Sequence, residues 1–328
     1  MKVSIIIPVY NVSAYIERCI KSVMNQTYSG DIECILVNDT TPDDSIEIAK
    51  RLIADYNGPI QFRILNHEHN RGLSATRNTG IDAATGDYLY FFDSDDEITP
   101  DCIEKMSCPI LNDPTIEMVD ACCVTIRTDN NNNVISEHSH TRPQLEYTSR
   151  EAVRKFFFSR QYENKSTWNK LVKRDFILKN KLYFKEGVLW EDFLWHFQYN
   201  KFLSHLYIIP DITYKYCIRP NSIITGTPQK RIHYFYGLIY EDISKNLIPE
   251  ESLQEVKYLL KGFCQFYIGF PATPEYKLAS SRFSKVLKDN HCVKEWLFLK
   301  SIVILSKFAP ARKAIKKLGI LLKKHRKK

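Results

Sequence analysis

Val3-Ser4-Ile5-Ile6-Ile7-Pro8-Val9-Tyr10-Asn11 lies at the start of a chain of 328 residues. Its first seven residues form an apolar run rich in β-branched side chains, without the regular polar alternation of a strand that faces water on one side. A run of this kind is typical of a strand buried on both faces, as in a parallel sheet covered by helices. The sequence therefore predicts a doubly buried strand at residues 3–9.

Strand and helix signals alternate from this stretch to residue 92. Apolar residues at helical spacing mark the helices, and short apolar runs mark the strands. In chain order, the predicted elements are a strand at Val3–Val9, a helix at Ala14–Met24, a strand at Ile32–Val37, a helix from Thr41 to about Tyr56, a strand at Ile60–Leu65, a helix at Leu73–Ala84 and a strand at Tyr88–Phe92. This order predicts an α/β fold with a mostly parallel central sheet flanked by helices and joined by right-handed crossovers.

The second helix has a specific start signal in Thr41-Pro42-Asp43-Asp44. Thr is a favourable N-cap, Pro is favourable at the first helical position, and acidic residues are favourable in the first turn. We therefore expect Thr41 to cap this helix. The cap accounts for both aspartates, so neither is assigned to a binding site.

The rest of the chain gives less regular signals. The predicted elements are a strand at Ile116–Arg127, a polar hairpin tip at Asp129–Asn133, helices at Ser149–Phe158 and Glu191–Phe202, short strands at Leu206–Ile209 and Thr213–Ile218, and helices from about Lys230 onward. We expect a domain at residues 1–225 that contains the α/β fold, a helical C-terminal region at 226–306 and a basic tail at 307–328.

The distribution of charge argues against nucleic-acid binding. The chain has 46 Lys and Arg and 38 Asp and Glu, for a formal net charge of +8. Ten of the basic residues and none of the acidic ones lie in 307–328, which leaves the rest of the chain with a net charge of −2. A polyanion-binding globule should carry its basic residues on the body. With 44% hydrophobic residues, the chain is also not disordered overall.

The spacing of the cysteines and the hydropathy of the chain limit the cellular compartments in which we expect the protein. The nine cysteines are irregularly spaced and form no Cys-x-x-Cys pair, which argues against a zinc ribbon and suits free thiols in a reducing cytosol. The apolar run at the N-terminus is too short for a signal-peptide core. No apolar run approaches the roughly 20 residues that span a bilayer.

Polar residues follow the predicted strands at their carboxyl ends. The first strand runs into Pro8-Val9-Tyr10-Asn11, the second into Asn38-Asp39, and the fourth into Asp93-Ser94-Asp95-Asp96. Ligands of open parallel sheets bind beyond these strand ends. Clustered carboxylates next to a phosphate suit Mg²⁺ or Mn²⁺, although a helix cap is the simpler alternative for residues 93–96. None of these segments after the predicted strands is a Gly-rich phosphate-binding loop.

Five motifs in order carry a family resemblance. They are Val3–Asn11, Ser22-Val23-Met24-Asn25-Gln26-Thr27-Tyr28, Leu36-Val37-Asn38-Asp39, Asn70-Arg71-Gly72-Leu73-Ser74-Ala75-Thr76-Arg77-Asn78-Thr79-Gly80, and Gly86-Asp87-Tyr88 followed by Phe92-Asp93-Ser94-Asp95-Asp96. Over roughly residues 1–220 the chain resembles the family-two nucleotide-sugar glycosyltransferases. The resemblance implies a GT-A fold, a nucleotide-diphosphate-sugar donor, a divalent metal (Mn²⁺ or Mg²⁺) and inversion at the anomeric carbon.

The resemblance assigns donor-binding roles by position. It places Pro8, Tyr10 and Asn11 under the base and ribose, and it makes Asp39 the residue that recognises uracil, so a UDP-sugar is the expected donor. The family more often has Asp-Asp-Gly-Ser where this chain has Asn38-Asp39-Thr40-Thr41, and Thr40 replaces a common glycine.

The same resemblance assigns the diphosphate and the metal. Arg77 lies on the family's donor-binding helix, where a planar guanidinium suits a nucleotide or diphosphate. Without its flanking motif, Arg77 would be interpreted as a surface arginine. Asp93 is expected to reach the ribose or the metal, and Asp95 to be the metal ligand.

The expected general base lies in Gly187-Val188-Leu189-Trp190-Glu191-Asp192-Phe193, which resembles the family's Glu-Asp pair at a helix start. Asp192 is our choice for the base, and Glu191 is the alternative. Both residues are also explained as first-turn acids that the helix dipole favours. Trp190 and Trp195 are interpreted either as a sugar-binding face or as core.

Two further segments resemble the family more weakly. Lys170, in Thr167-Trp168-Asn169-Lys170-Leu171, is predicted to contact donor or acceptor, with a solvated lysine as the alternative. Tyr216, Arg219 and Ser222 match a loop that closes over the diphosphate in the family.

The basic tail has apolar residues at helical spacing, namely Ala311, Ala314, Ile315, Leu318, Leu321 and Leu322. A basic amphipathic helix suits an anionic membrane surface, and a solvated terminus is the alternative. The main interpretation is an inverting glycosyltransferase at the inner face of the cytoplasmic membrane, acting on a glycan or a lipid-linked saccharide in bacterial surface polysaccharide synthesis. The alternatives are a sugar nucleotidyltransferase and a non-catalytic sugar-nucleotide-binding protein.

Overall fold

The structure is a computed structural model, and it describes residues 1–129, 133–159, 166–218, 227–247, 252–269 and 273–305. The chain divides into two compact units. The first comprises Met1–Arg154, Asn164–Gly187 and Glu191–Gly226; the second comprises Lys155–Glu163, Val188–Trp190 and Thr227–Lys328. The tail predicted at 307–328 lies outside the described residues.

The first part of the first unit alternates strands and helices as the sequence predicts. The elements are β1 (Val3–Val9), α1 (Ile16–Met24), β2 (Ile32–Asn38), α2 (Ser45–Ala54), β3 (Gln61–Asn66), α3 (Leu73–Ala83) and β4 (Tyr88–Phe91). Every residue of β1 is buried. The apolar stripe of α1, formed by Ile16, Cys19, Ile20 and Val23, is buried as well. These faces pack into one hydrophobic core.

The remaining elements extend the sheet and add helices. They are β5 (Glu97–Ile98), α4 (Cys102–Asn112), β6 (Met118–Thr128), β7 (Val134–His140), β8 (Leu145–Tyr147), α5 (Arg150–Phe158), β9 (Lys170–Lys173), α6 (Arg174–Lys179), α7 (Glu191–Tyr199) and β10 (Leu206–Ile218). Strands β6 and β7 pair antiparallel on either side of the hairpin tip predicted at Asp129–Asn133, of which residues 130–132 lie outside the described residues.

The sheet has the order β3-β2-β1-β4-β9-β6-β10-β5, with β7 on β6 and β8 on β10. Strands β1, β2, β3 and β4 are mutually parallel where they pair, and β6 is parallel to β10. Strand β9 is antiparallel to both β4 and β6, so these two strands run in the same direction. The predicted mostly parallel sheet is therefore confirmed, and the carboxyl ends of β1, β2, β4 and β6 lie along one edge.

Proline in a paired strand needs an explanation, because it has no N–H to donate. Pro8 lies in β1 opposite Val37 of β2, whereas the pairing of β1 with β4 ends at Ile6 and Phe91. On the β4 side the ladder has therefore already stopped when the chain reaches Pro8. The proline is tolerated where the sheet opens toward the strand ends.

The start predicted for the second helix is wrong by several residues. Helix α2 begins at Ser45, and Thr41 is not its cap. The Asp43 carboxylate instead accepts hydrogen bonds from Ser13 N, Thr41 Oγ1, Ser45 N and Ser45 Oγ. Asp43 therefore fastens the loop after β1 to the start of α2, and this network makes residues 41–44 a turn.

The two short strands expected near the end of the first unit form a single strand, β10. Its pairing with β6 shifts register between Ile208 and Ile212, around Pro210. A proline removes a ladder hydrogen bond, which explains a local irregularity at this position.

The second unit is helical, as predicted, with α8 (Gln229–Lys245), α9 (Leu253–Gly269), α10 (Pro274–Asp289) and α11 (Val293–Leu305). Aromatic rings form part of its core: Phe263 lies 5.2 Å from Tyr240, 5.7 Å from Tyr276 and 5.0 Å from Phe283 between ring centroids. Within the described ranges, no helix has both the length and the apolar character needed to cross a bilayer.

Candidate active site

The first-strand residues of the predicted site lie at the carboxyl edge of the sheet. Tyr10 is 48% exposed directly after β1, and Asn11 is exposed beside it with its backbone N–H donating to Thr41 Oγ1. Pro8 is buried inside β1. Tyr10 and Asn11 therefore offer polar and aromatic surface at this edge, whereas Pro8 contributes through the shape of the strand.

Asp39 is buried at the end of β2 and holds the loop that leads into α3. Its Oδ1 accepts hydrogen bonds from His67 Nδ1 at 2.7 Å and from Arg71 N at 2.8 Å, and its Oδ2 accepts one from Gly72 N at 2.7 Å. A carboxylate has about four acceptor positions. These donors occupy three of them, two on Oδ1 and one on Oδ2.

Left-handed backbone marks the same edge. Asn11 has φ of 54° and Thr40 has φ of 56°, a region that L-residues seldom adopt. Residues held in this region tend to cluster at functional sites. A positive φ is the conformation that glycine adopts most readily, and Thr40 stands where the family resemblance implies a glycine. Thr40 Oγ1 donates a hydrogen bond to the His67 carbonyl.

Arg77 joins two carboxylates that the sequence places far apart. Its Nη2 donates to Asp93 Oδ1 at 2.8 Å, and its Nη1 donates to Glu191 Oε1 at 2.5 Å. The guanidinium is 3% exposed and lies 5.3 Å from the centre of the Phe184 ring. Burial alone would lower the pKa of Arg77, but the charges of Asp93 and Glu191 raise it above its ordinary value. Arg77 is thus a buried cation that fixes the start of α7 against the end of β4, and it is not the surface arginine considered as the alternative.

The acidic run after β4 divides into exposed and buried members. Asp93 and Asp95 are partly exposed, whereas Asp96 is fully buried. Asp96 accepts hydrogen bonds from Tyr214 OH at 2.6 Å and from Cys217 N at 2.7 Å, so it ties β10 to the acidic run. Burial and the charges of Asp95 and Asp93 raise the pKa of Asp96 well above its ordinary value.

Asp192 is partly exposed at the start of α7 and accepts a hydrogen bond from Phe193 N at 2.8 Å. Burial, and then the charge of Glu191, raise the pKa of Asp192 to about 7, although Arg77 and the Phe193 N–H act in the opposite direction. A carboxylate with a pKa near the working pH suits general base catalysis. Glu191 is buried and committed to Arg77, which favours Asp192 for this role.

Lys170 is fully buried at the first position of β9, with its Nζ 3.9 Å from Asp120 Oδ1. Burial lowers the pKa of Lys170 to about 8, although the charge of Asp120 opposes the shift. Asp120 also accepts a hydrogen bond from Arg142 at 3.0 Å. The solvated lysine considered as the alternative is therefore wrong, and Lys170 belongs to a buried charge cluster.

The aromatic residues named from the sequence have different surroundings. Trp195 is 1% exposed and donates its indole N–H to the Leu182 carbonyl, so it is a core residue. Trp190 stacks on Tyr236, with ring centroids 5.6 Å apart. Tyr216 stacks on Trp168 at 5.1 Å, and burial, followed by the charges of the acidic run, raises its pKa. Arg219 and Ser222 lie outside the described residues.

Asp93 and Asp95 fit the implied divalent cation by their chemistry. Both offer carboxylate oxygens at the open edge of the sheet, and Arg77 engages Asp93 through Oδ1. Hard oxygen ligands are those that Mg²⁺ and Mn²⁺ prefer, with phosphate and water completing the shell. The donor set is therefore compatible with the metal that the family resemblance implies.

A second group of possible metal ligands lies at the opposite edge of the sheet. Ligand atoms of Asp113, Glu146 and His205 all lie within 4.8 Å of one another. His205 directly precedes β10, and its ring nitrogens are paired with Thr115 Oγ1 at 3.0 Å and Glu146 Oε1 at 2.9 Å. These hydrogen bonds account for the cluster without an ion.

Sequence reasoning missed His67 and the partners of Lys170. His67 bridges Asp39 and Thr79, and Asp120 and Arg142 surround Lys170. A histidine directly after a strand, three residues before Asn70, was an available signal for His67. The charge cluster depends on the pairing of β6 with β9, which no local pattern reveals.

Comparison with known proteins agrees with this geometry. Residues 4–189 match the family model described as glycosyl transferase family 2. The chain is 30% identical over 290 residues to a protein named as glycosyltransferase EpsH of Bacillus subtilis (strain 168), covering 85% of this chain and 79% of the relative. It is also 30% identical over 226 residues to the uncharacterized glycosyltransferase YibD of Escherichia coli (strain K12), covering 68% and 63% of the two chains.

Among solved structures, the fold is similar to Staphylococcus aureus TarS 1-349 in complex with UDP-GlcNAc. The TM-score is 0.65 at 17% identity, and the match covers 95% of this chain and 88% of the other. At this identity the likeness shows the fold alone, and it confirms the predicted GT-A architecture. The family model matches more than half of the residues, and the similarity to EpsH extends over most of both chains. The chain therefore belongs to glycosyl transferase family 2.

Proposed function

We propose that this glycosyltransferase moves a sugar from a UDP-sugar to a hydroxyl group of a glycan or lipid-linked saccharide, with inversion at the anomeric carbon. The observation that carries the proposal is the Arg77 bridge, which brings the acidic run after β4 and the Glu191-Asp192 pair to one edge of the sheet. A donor site and a base on the same edge are what a single displacement requires.

The donor pocket is proposed at the ends of β1 and β2. Tyr10 and Asn11 offer exposed surface for the base and ribose, and the remaining acceptor position on Asp39 Oδ2 suits the ring N–H of uracil. Arg77 acts on this pocket through Asp93, to which its Nη2 donates a hydrogen bond. TarS, a structural neighbour, is solved with UDP-GlcNAc, and this supports a UDP-linked donor.

Asp93 and Asp95 would hold the divalent cation, Mn²⁺ or Mg²⁺, which would offset negative charge on the donor diphosphate. Asp192 accepts the proton of the acceptor hydroxyl. The acceptor oxygen forms the new bond to the anomeric carbon as the bond to the UDP oxygen breaks, and attack from the face opposite the leaving group inverts the configuration. Glu191 and Arg77 hold the start of α7, which carries the base. Lys170 lies in a buried charge cluster with Asp120 and Arg142. We propose that it affects donor binding through this cluster.

The pathway and location are also proposals. The family resemblance implies a place in bacterial cell-surface polysaccharide synthesis, and the relative EpsH supports the glycosyltransferase part of this proposal. We place the chemistry in residues 1–225, with 226–306 as a helical region and 307–328 as a basic segment that attaches the protein to the inner face of the cytoplasmic membrane.

The proposal is tested by incubating the purified protein and its Asp192→Asn variant with Mn²⁺ and each of UDP-glucose, UDP-galactose and UDP-N-acetylglucosamine. Release of UDP from one donor by the wild type, and its loss in the variant, is the expected result. Donor binding in calorimetry without UDP release under any condition would indicate a non-catalytic binding protein instead.

A further inference from the structure

Two consecutive residues directly after β2, Asp39 and Thr40, hold several groups of the loop between β3 and α3. The Asp39 carboxylate accepts hydrogen bonds from the backbone N–H groups of Arg71 and Gly72, and the Asp39 carbonyl accepts one from Asn70 Nδ2 at 3.3 Å. Thr40 Oγ1 donates to the His67 carbonyl at 3.0 Å. The residues after β2 and this loop therefore form one hydrogen-bonded unit.

His67 lies at the centre of this unit with its side chain 5% exposed. Its Nδ1 lies 2.7 Å from Asp39 Oδ1, and its Nε2 lies 2.9 Å from Thr79 Oγ1. An ionised carboxylate only accepts hydrogen bonds, so Nδ1 must carry a proton toward Asp39. In the neutral ring, Nε2 then accepts the Thr79 hydroxyl proton, and both ring nitrogens are satisfied.

Thr79 belongs to α3, the helix that also carries Arg77 two residues earlier. Arg77 in turn bonds Asp93 and Glu191. A continuous chain of hydrogen bonds and one helical segment thus runs from Asp39 through His67 and Thr79 to the carboxylates of the reaction centre. The Nδ1 proton of His67 is one of three donors that orient the Asp39 carboxylate, and it is the only one of the three that comes from a side chain.

We propose that His67 is a positioning residue of the nucleotide site: it orients Asp39 toward the donor base and couples this contact to α3. The inference rests on the proposed UDP-sugar activity. It predicts a defect in nucleotide affinity, because His67 touches Asp39 and not the reacting atoms. Turnover at saturating donor should change much less than the KM for the donor.

Isosteric variants separate the two ring nitrogens. Asn places its amide nitrogen near the position of Nδ1, whereas Gln places its amide nitrogen near Nε2. His67→Asn keeps a hydrogen-bond donor for Asp39, whereas His67→Gln loses it. His67→Phe loses the contacts with both Asp39 and Thr79. Thr79→Val loses only the contact between Thr79 and His67 Nε2. His69→Phe is the matched control, because His69 is exposed in the same loop.

For each folded variant, titration calorimetry in the presence of Mn²⁺ measures the dissociation constant of UDP. The fitted stoichiometry gives the fraction of the protein that is able to bind UDP. We expect His67→Phe and His67→Gln to weaken UDP binding about tenfold or more, because both variants lose the charge-assisted hydrogen bond to Asp39. We expect His67→Asn to stay within about threefold of wild type. A purely structural role would lower the competent fraction and leave the dissociation constant unchanged.

Equal UDP affinity in His67→Phe and His69→Phe would overturn the inference, and so would rescue by Gln as good as rescue by Asn. Failure of the proposed function has a different result, since the wild-type protein would then bind no UDP or release none from any UDP-sugar.

Discussion

Arg77 and Glu191 are 114 residues apart in the sequence and form a buried ion pair, with Arg77 Nη1 2.5 Å from Glu191 Oε1. The second arm of the guanidinium reaches Asp93 at 2.8 Å. One cation therefore balances two carboxylates and fixes the geometry between the acidic run and the start of α7. A planar, two-armed donor suits this arrangement, and a lysine does not reproduce it.

Arg77→Met is expected to lower the free energy of unfolding by about 3–5 kcal/mol, because it leaves the buried Glu191 and the partly exposed Asp93 without their counter-ion. Arg77→Lys should be milder in stability, yet it should still lose most transfer activity, since one ammonium group does not hold both carboxylates. Chemical unfolding of the variants measures the stability. The exposed Arg51→Met on α2 is the control, and a loss at Arg77 no larger than at Arg51 would contradict the bridge.

Asp192→Asn is expected to lower UDP release by about 10³-fold while UDP affinity stays within about twofold, because only the proton acceptor is lost. Near-normal transfer by this variant would remove Asp192 from the base role. Calorimetry with UDP separates binding from chemistry, and Asp175→Asn at an exposed position of α6 serves as the matched control.

The pH dependence gives a separate test of the same residue. The pKa of Asp192 is raised to about 7, chiefly by burial and then by Glu191, so the ionised base is present above this pH and is lost below it. The rate should fall as pH drops through this value. Glu191→Gln removes a charge that raises the pKa, so its acid limb should move to lower pH. An unchanged limb in this variant would show that another group controls the rate.

The sequence was a good guide wherever a local pattern carried the information. The buried run of β1, the alternation through β4 and the position of Asp39 and Asp93 after parallel strands all follow from apolar periodicity and from the convergence of strand ends at one edge. Strand β9 escaped prediction because it has four residues, Lys170–Lys173, and its place between β4 and β6 depends on distant pairing.

The candidate active site was likewise predictable from local patterns only in part. The sequence marks Arg77, Asp93 and Glu191 as separate candidates, but only the fold brings them together. The start of α2 failed for a related reason, since contacts of Asp43 with Ser13 and Thr41 outweighed the cap propensity of Thr41. Tertiary hydrogen bonds to a carboxylate are worth more than a single N-cap.

Asp95→Asn is expected to weaken the Mn²⁺-dependent part of UDP binding at least tenfold, because it removes the proposed metal ligand. Titration of UDP with Mn²⁺ and with excess EDTA measures this part. Asp113→Asn, in the cluster at the opposite edge, is the control that should behave as wild type. A loss in Asp113→Asn with none in Asp95→Asn would move the functional metal to the other edge.

Glu33 should make the fold sensitive to acid. Its carboxylate is 2% exposed in β2 and accepts hydrogen bonds from Ser4 Oγ at 2.5 Å and from Thr85 N at 2.6 Å. Burial acts to raise its pKa, but the bonds from Ser4 and Thr85 and the charge of Lys2 lower it from 4.5 to about 2. A group with a lowered pKa in the folded state stabilises above its unfolded value and loses this contribution as pH falls toward the folded value.

Glu33→Gln is accordingly expected to cost about 3 kcal/mol of unfolding free energy at neutral pH, and the difference from wild type should shrink as pH falls below about 4.5. Denaturant unfolding between neutral pH and pH values near 3 measures the trend. Glu47→Gln, at an exposed position of α2, should cost little at any pH. A difference that is constant with pH would exclude ionisation of Glu33 as its cause.

The basic residues at 307–328 should control attachment to anionic vesicles. Each Lys or Arg near such a surface contributes about 1 kcal/mol, so ten of them suffice even if most contribute partially. The full chain should co-sediment with phosphatidylglycerol vesicles and be released by salt, because the attraction is screened. A chain ending at Ser306 should remain in solution while keeping its UDP affinity, since the proposed donor site lies in the first unit. Equal sedimentation of the two chains would refute the role of this segment, and binding to neutral vesicles alone would assign attachment to apolar residues and not to charge.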